Sequence, residues 1–158
     1  MKLILTCLTI ISLSFNTVAQ NLGTAVPNVV FYNKDNSQFS THSIPKGKKS
    51  FVFFFDATCS HCQKVIAEFN KRYKELSNVN LYMVSQDEYR SIDYFTSNFA
   101  KQLSQQKNVK VLQDRDKVFI MAFRPKKYPA MYFYGADRNL QFTSSEERDV
   151  AKIFQLAK

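Results

Sequence analysis

The chain has little glycine and few residues that bind transition metals. Its three glycines, Gly23, Gly47 and Gly135, lie far apart, which excludes a glycine-rich loop that cradles phosphates. A zinc site needs about four ligands, but the sequence has only three cysteines and two histidines, with His61 poorly placed between two of the cysteines. We therefore expect no metal site and no bound cofactor.

Long hydrophobic runs are also missing. The apolar run at residues 3–15 is shorter than the roughly 18 residues that span a bilayer. Lys2 precedes this run and small residues ending at Ala19 follow it, which predicts a secretory signal peptide at residues 1–19, with an uncleaved anchor as the alternative. Residues 20–158 then form one exported domain, periplasmic or secreted, in a compartment that permits disulfides.

The net charge is +9 at pH 7, with basic clusters at residues 46–49 and 124–127. Basic patches can bind nucleic acid, but an exported protein seldom meets it. A solvated basic surface, or one that faces an anionic envelope or an acidic partner, explains the charge better. We expect no nucleic-acid partner.

Strand and helix patterns alternate through the first part of the chain. Residues 49–55 are almost continuously aromatic or β-branched, which is typical of a strand buried on both faces. From Cys62 to Leu76 the apolar residues recur at helical spacing, which predicts an amphipathic helix. Further strands are predicted at 29–32, 38–44, 81–84 and 109–112, and further helices at 92–103 and 117–123.

The last part of the chain has a different pattern. Two strand-like segments at 130–134 and 140–143, joined by a turn at 135–139, predict an antiparallel hairpin. Ser144 and Glu147 have the spacing of a capping box, which predicts the start of a final helix that runs to residue 156. The whole pattern predicts an α/β fold in which a central mixed β-sheet is flanked by helices on both faces.

Cys59 and Cys62 lie where the aromatic strand gives way to the first helix. At a helix start the sulfur of Cys59 lies beside unpaired N–H groups and the positive end of the helix dipole, which favours the thiolate, the attacking species in disulfide exchange. Cys62 is one turn further on, so its sulfur can approach Cys59 and resolve a mixed disulfide. Cys59 is thus the candidate nucleophile and Cys62 the candidate resolving thiol.

His61 lies between the two cysteines. An imidazolium beside Cys59 would stabilise its thiolate and make the corresponding disulfide a stronger oxidant, so we include His61 among the candidate catalytic residues. The alternative is a solvated histidine at a helix start.

These features together carry a resemblance to a known family. With Cys59-Ser60-His61-Cys62 after an aromatic strand, Tyr128-Pro129 before the hairpin, and this order of elements, the chain resembles the thioredoxin-fold thiol-disulfide oxidoreductases of the TlpA/ResA-like (redoxin) family. The resemblance implies a thioredoxin-like fold in which Pro129 is cis and faces the active site, while the backbone of Tyr128 pairs with the substrate. It also implies protein thiols or disulfides as partners, with a membrane redox protein as the candidate recycling partner.

The chain departs from this family at positions that handle protons. Thr58 replaces the usual tryptophan, Phe53 stands where thioredoxins have a buried aspartate, and Val65 where ResA-like proteins have a glutamate. Asp56 is close enough to replace the missing carboxylate, although it could equally cap the strand end or the helix. A peroxiredoxin-like peroxidase would need threonine at position 56.

Two functions remain open from the sequence. The first is an exported thiol-disulfide oxidoreductase, with the direction of electron flow undecided. The second is a peptide-binding module of the same fold with a static disulfide, which would use Tyr128 and the basic residues Arg124, Lys126 and Lys127 to hold its partner.

Overall fold

The computed structural model describes residues 21–158, so the predicted signal peptide at 1–19 lies outside the described residues. Seven strands form one sheet: β1 Val30–Tyr32, β2 Gln38–Ser40, β3 Ser50–Phe55, β4 Asn80–Ser85, β5 Val109–Gln113, β6 Ala130–Tyr134 and β7 Leu140–Ser144. The helices are α1 Ser60–Lys71, α2 Tyr89–Phe99, α3 Lys101–Ser104, α4 Phe119–Phe123 and α5 Val150–Ala157. None of these helices is long and apolar enough to cross a bilayer.

The sheet is mixed, as the sequence predicts. Its strand order is β2-β1-β5-β4-β3-β6-β7. Strands β3, β4 and β5 run parallel, and the pairings at both edges are antiparallel. The carboxyl ends of β3 and β4 therefore meet at the same edge of the sheet, and the predicted cysteine motif follows β3 at that edge.

Strand β3 lies near the middle of the sheet, and all six of its residues are buried. Phe51, Phe53 and Phe55 point into one hydrophobic core, while Val52 and Phe54 point into a second core on the opposite face. This explains why the segment lacks the alternation of a half-exposed strand. The prediction of a strand buried on both faces is confirmed.

Helices cover both faces of the sheet. Helix α1 buries Cys62, Val65, Ile66 and Phe69 in the first core, where α2, α3 and α5 also pack. On the other face, Phe119 of α4 stacks on Phe54 with ring centroids 3.9 Å apart. The predicted arrangement is therefore confirmed, although α4 is much shorter than α1 and α2 on the opposite face.

Three predicted elements are cut short or interrupted in the structure. The predicted helix 62–76 ends as α1 at Lys71 and is followed by a 3-10 helix, Tyr73–Leu76. The predicted strand 38–44 stops at Ser40, because the Thr41 hydroxyl donates to the Pro27 carbonyl at 2.6 Å and accepts from the Val29 amide at 2.9 Å.

The predicted helix 92–103 breaks at Ala100 into α2 and α3. Asn70 of α1 caps the second piece, since its Oδ1 accepts from the amides of Gln102 and Leu103.

The predicted capping box at Ser144 and Glu147 is wrong. Ser144 is the last residue of β7, and its hydroxyl donates to the Asp149 carboxylate at 2.5 Å and accepts from the Glu146 amide at 3.0 Å. A short 3-10 helix, Glu147–Asp149, precedes α5. Glu147 is thereby left free to face α1.

Candidate active site

Cys59 occupies the position that the sequence predicts for it. It is the N-cap residue of α1, and its Sγ accepts a hydrogen bond from the Cys62 amide at 3.4 Å. The sulfur thus satisfies one of the amides that a helix start leaves without an intrahelical partner. Negative charge is stabilised at such an end of a helix, so this geometry suits a thiolate.

Cys62 has a very different environment, although both cysteines are free thiols. Cys62 is fully buried in the first core, whereas Cys59 is partly exposed. Burial raises the pKa of the Cys62 thiol far above its ordinary value, and the adjacent Cys59 raises it further, although a hydrogen bond from the backbone of Asp56 opposes the effect. The site therefore pairs an accessible sulfur with a buried, protonated one.

Asp56 organises the turn between β3 and α1. Its Oδ1 accepts hydrogen bonds from the Thr58 amide at 2.7 Å, the Thr58 hydroxyl at 2.7 Å and the Cys59 amide at 3.1 Å. These bonds give it the capping role that the sequence analysis named as one of two alternatives. Its charge also contributes to the raised pKa of Cys62, so it lies close enough to influence the thiols.

Asp87 is a residue of this site that the sequence analysis missed. Its Oδ2 accepts from the Ala57 amide at 2.7 Å and from the Ser85 hydroxyl at 2.9 Å. The amides of Ala57, Thr58 and Cys59 therefore all donate to carboxylates. A topological signal could have indicated Asp87, because it follows β4 as Asp56 follows β3, and parallel strands bring such residues to one edge.

His61 lies in the first turn of α1, and its Nδ1 is 3.8 Å from Oε2 of Glu147. Both side chains are partly exposed, at 36% and 51%, so solvent screens their interaction. Glu147 comes from the segment between β7 and α5 and was not predicted to be part of the site. The His61 ring thus lies beside a carboxylate.

Tyr128 and Pro129 lie on the other side of β3. The Tyr128-Pro129 bond is cis, as the resemblance implies. Because Phe54 pairs with Ala130 across β3 and β6, these two residues come next to the end of β3 from which the cysteine turn starts. The half-buried ring of Tyr128 packs against Phe54 with centroids 5.0 Å apart. Burial and then the charge of Asp56 raise the pKa of Tyr128.

The described residues contain no group of three or more His, Cys, Asp or Glu side chains arranged to hold a metal ion. The structure brings together the cysteine motif, Asp56, Asp87 and the Tyr128-Pro129 segment. The chemistry available at the site is therefore that of two thiols, one at a helix start and one buried.

A family profile described as the AhpC/TSA family matches residues 22–143 of the chain. No curated protein gives a significant match.

Solved structures with a similar fold come from several bacteria. A secreted Mycobacterium tuberculosis disulfide oxidoreductase homologous to E. coli DsbE has a TM-score of 0.66 at 17% identity, covering 82% of this chain and 96% of its own. The thioredoxin domain of a Bacteroides vulgatus thiol-disulfide oxidoreductase has a TM-score of 0.69 at 18% identity, covering 89% and 100%. A peroxiredoxin-like protein from Aquifex aeolicus has a TM-score of 0.68 at 13% identity, covering 89% and 90%. These likenesses establish the thioredoxin-like fold.

Proposed function

The chain belongs to the AhpC/TSA family, and on that premise we propose that it is an exported thiol-disulfide oxidoreductase of the TlpA/ResA-like branch. It exchanges disulfides with protein substrates through Cys59-Ser60-His61-Cys62. The observation that carries the proposal is the sulfur pair: Cys59 caps α1 and accepts the Cys62 amide at 3.4 Å, while Cys62 is buried one turn further on. The position of Tyr128-Pro129 beside the same end of β3 supports it.

The reaction begins at Cys59. Its thiolate attacks one sulfur of a substrate disulfide, a new S–S bond forms, and the other substrate sulfur leaves as a thiolate that takes up a proton. Cys62 then gives its proton to water or buffer and attacks Cys59 Sγ, forming the Cys59–Cys62 disulfide and releasing the second substrate thiol. Two electrons pass to the substrate, so a separate thiol reductant must restore the pair. Oxidation of a substrate dithiol is the same sequence in reverse.

The surrounding residues have supporting roles in this proposal. His61 adjusts the stability of the Cys59 thiolate, and the backbone of Tyr128, beside Pro129, pairs with the substrate chain. Residues 1–19 direct export, which places the protein in the periplasm or outside the cell. A membrane redox protein is the proposed source or acceptor of electrons.

Peroxide reduction, the chemistry of other thioredoxin-fold proteins, fits this turn less well. A peroxidase of that kind needs a threonine hydroxyl at the position of Asp56. Here a carboxylate occupies that position and accepts the hydrogen bond of the Cys59 amide at 3.1 Å.

The second candidate is a peptide-binding module with a static disulfide. The observation that favours it is the position of Asp56, whose Oδ1 accepts three hydrogen bonds from the turn. Positions 53 and 65, where related proteins carry a carboxylate that accepts protons, hold Phe53 and Val65 here. A module of this kind would bind a peptide without exchanging electrons.

An insulin-reduction assay and a dithiol-peptide oxidation assay on the purified protein distinguish these candidates. We expect turnover in at least one assay, no turnover with Cys59→Ser, and a trapped mixed disulfide on Cys59 with Cys62→Ser. A static disulfide would turn over in neither assay, and a mixed disulfide trapped on Cys62 would reverse the assigned roles.

A further inference from the structure

An open cleft of about 610 Å³ lies directly beside the cysteine turn. Ala57, Thr58 and Gln63 line it from the turn and from α1, and Arg90, Ser91 and Tyr94 line it from α2. Gln63 holds the side of the cleft that the turn and α1 form, because its Nε2 donates to the Ala57 carbonyl at 3.0 Å. Thr58 is the chain neighbour of Cys59, so anything bound in the cleft lies next to the reactive sulfur.

Arg90 gives the cleft a positive charge that no described residue neutralises. Its side chain is exposed and forms no ion pair or hydrogen bond with another described residue. The carboxylates of the turn are engaged elsewhere, Asp56 with the Thr58 and Cys59 amides and Asp87 with the Ala57 amide and Ser85. On α2 itself, Asp93 pairs with Lys34 at 2.7 Å. The guanidinium is therefore available to a carboxylate from outside.

Tyr94 gives the same cleft an aromatic surface. Its side chain is 61% exposed, which is unusual among the large hydrophobic residues of the described chain. An exposed aromatic ring beside an unpaired arginine is typical of a site that binds a polypeptide, since both residue types are enriched among those that dominate binding energy.

We propose that this cleft binds an acidic segment of the substrate polypeptide next to its reacting cysteine. The inference rests on the proposed function and adds the substrate class: protein disulfides flanked by Asp or Glu. An extended chain advances roughly 3.3 Å per residue, so a substrate joined to Cys59 places its next few residues along the cleft. Arginine suits this role because its planar fork can bind a carboxylate through two parallel hydrogen bonds.

The test compares two disulfide peptides that differ only by Glu or Gln two residues from the cysteine. We expect the protein to react with the Glu peptide about 1.5- to fivefold faster in kcat/KM, the range of an accessible ion pair. Arg90→Gln should abolish the preference, and Arg90→Glu should reverse it towards a Lys peptide. Lys152→Gln is the control, because it removes the same charge from exposed α5 outside the cleft.

A neutral small disulfide, hydroxyethyl disulfide, separates failure of the cleft from failure of the reaction. It has no side chain to enter the cleft, so its rate with the wild-type protein reports the cysteine chemistry alone, and Lys152→Gln should leave that rate unchanged. Equal rates with the two peptides in a protein that reduces hydroxyethyl disulfide would overturn the cleft proposal alone, as would a preference that persists in Arg90→Gln. Inactivity towards all of these disulfides would overturn the proposed function and the cleft proposal with it.

Discussion

At the scale of single residues, Cys62 is expected to set the pH dependence of the reaction. Burial holds its pKa well above that of an ordinary thiol, so only a small fraction is thiolate near neutral pH. That fraction grows about tenfold for each pH unit while the pH stays below the pKa. The step in which Cys62 attacks the mixed disulfide should therefore accelerate as the pH rises.

Rapid mixing of the reduced protein with a disulfide peptide, followed by acid quenching and mass spectrometry, measures the lifetime of the mixed disulfide. We expect this lifetime to shorten by about tenfold per unit between roughly pH 6 and 8. A lifetime that does not change with pH would show that a nearby group, with Asp56 as the first candidate, removes the proton directly.

Asp87 is expected to hold the turn that carries Cys59. Asp87→Ala leaves the amide of the buried Ala57 without its acceptor, which should lower the free energy of unfolding by about 1–3 kcal/mol. It should also slow the reaction of Cys59 with hydroxyethyl disulfide, because the turn is no longer fixed. Asp87→Asn keeps an oxygen acceptor and should restore most of both quantities. Urea denaturation and rate measurements check this, and a stable Asp87→Ala protein with an unchanged rate would contradict it.

His61 is expected to make the cysteine pair more oxidising. Its imidazolium stabilises the thiolate of the dithiol form, so His61→Ala should move the reduction potential to more negative values, by about 30 mV for each ~1.4 kcal/mol of stabilisation lost. Glu147 lies 3.8 Å from the ring and reduces the effect by its opposite charge.

Equilibration with glutathione buffers measures this potential, and His42→Ala is the matched control because His42 is the other histidine of the chain. The shift for His61→Ala should exceed any shift for His42→Ala. An unchanged potential in His61→Ala would assign His61 to the solvated surface.

At the scale of secondary structure, helix α4 depends on one aromatic residue. The fully buried Phe119 stacks on Phe54 at 3.9 Å and on Phe123 at 4.1 Å, as ring centroid distances. Phe119→Ala should therefore destabilise the protein by about 3–5 kcal/mol, through lost contacts and the cavity left behind.

Met121 on the same helix provides the control for this prediction. It is 80% exposed, so Met121→Ala should change the free energy of unfolding by no more than about 0.5 kcal/mol. Urea denaturation of both variants tests the comparison. Similar losses of unfolding free energy in Phe119→Ala and Met121→Ala would mean that α4 stabilises the protein through its length rather than through the stacked ring of Phe119.

The sequence predicts an element well when the signal is local and strong. The continuous apolar run of β3 and the helical spacing after Cys62 are such signals. Strand β3 was found in the expected place, and the predicted helix 62–76 is present as α1, which ends at Lys71 and is followed by a 3-10 helix, Tyr73–Leu76. The break at Ala100 depends instead on Asn70, a residue from another helix that caps α3. The Ser144 hydroxyl likewise accepts from the Glu146 amide rather than the Glu147 amide and donates to Asp149, a pattern that spacing alone does not decide.

At the scale of the whole molecule, the candidate site was predicted in part. The cysteine motif and the proline before the hairpin could be identified because their order along the chain is distinctive. Asp87, Glu147 and Arg90 were not identified, because they come from segments far from the cysteine motif in the chain and reach the site only when the sheet is assembled. Aspartate, glutamate and arginine are common surface residues in any sequence. Their role at the site can therefore be recognised only when the strand order is known.

In the folded protein, the local balance of charges matters more for binding than the net charge of +9. Lys127, the chain neighbour of Tyr128, is neutralised locally by Glu146 at 2.7 Å. Arg90 is not, and the local balance there decides what can bind. The total charge attracts acidic proteins in general, whereas the cleft beside Cys59 is expected to select among them.

The turn before α1 has a further consequence for how a substrate can be held. The amides of Ala57, Thr58 and Cys59 all donate to carboxylates, and the Ala57 carbonyl accepts from Gln63. A substrate backbone therefore finds no free amide at residues 57–59 and cannot add itself to this stretch as a strand. On the side of Tyr128 the proposed contact is with the main chain, which every sequence possesses. Selectivity among substrate proteins should then depend on the residues on one side of the reactive cysteine, the side that enters the cleft.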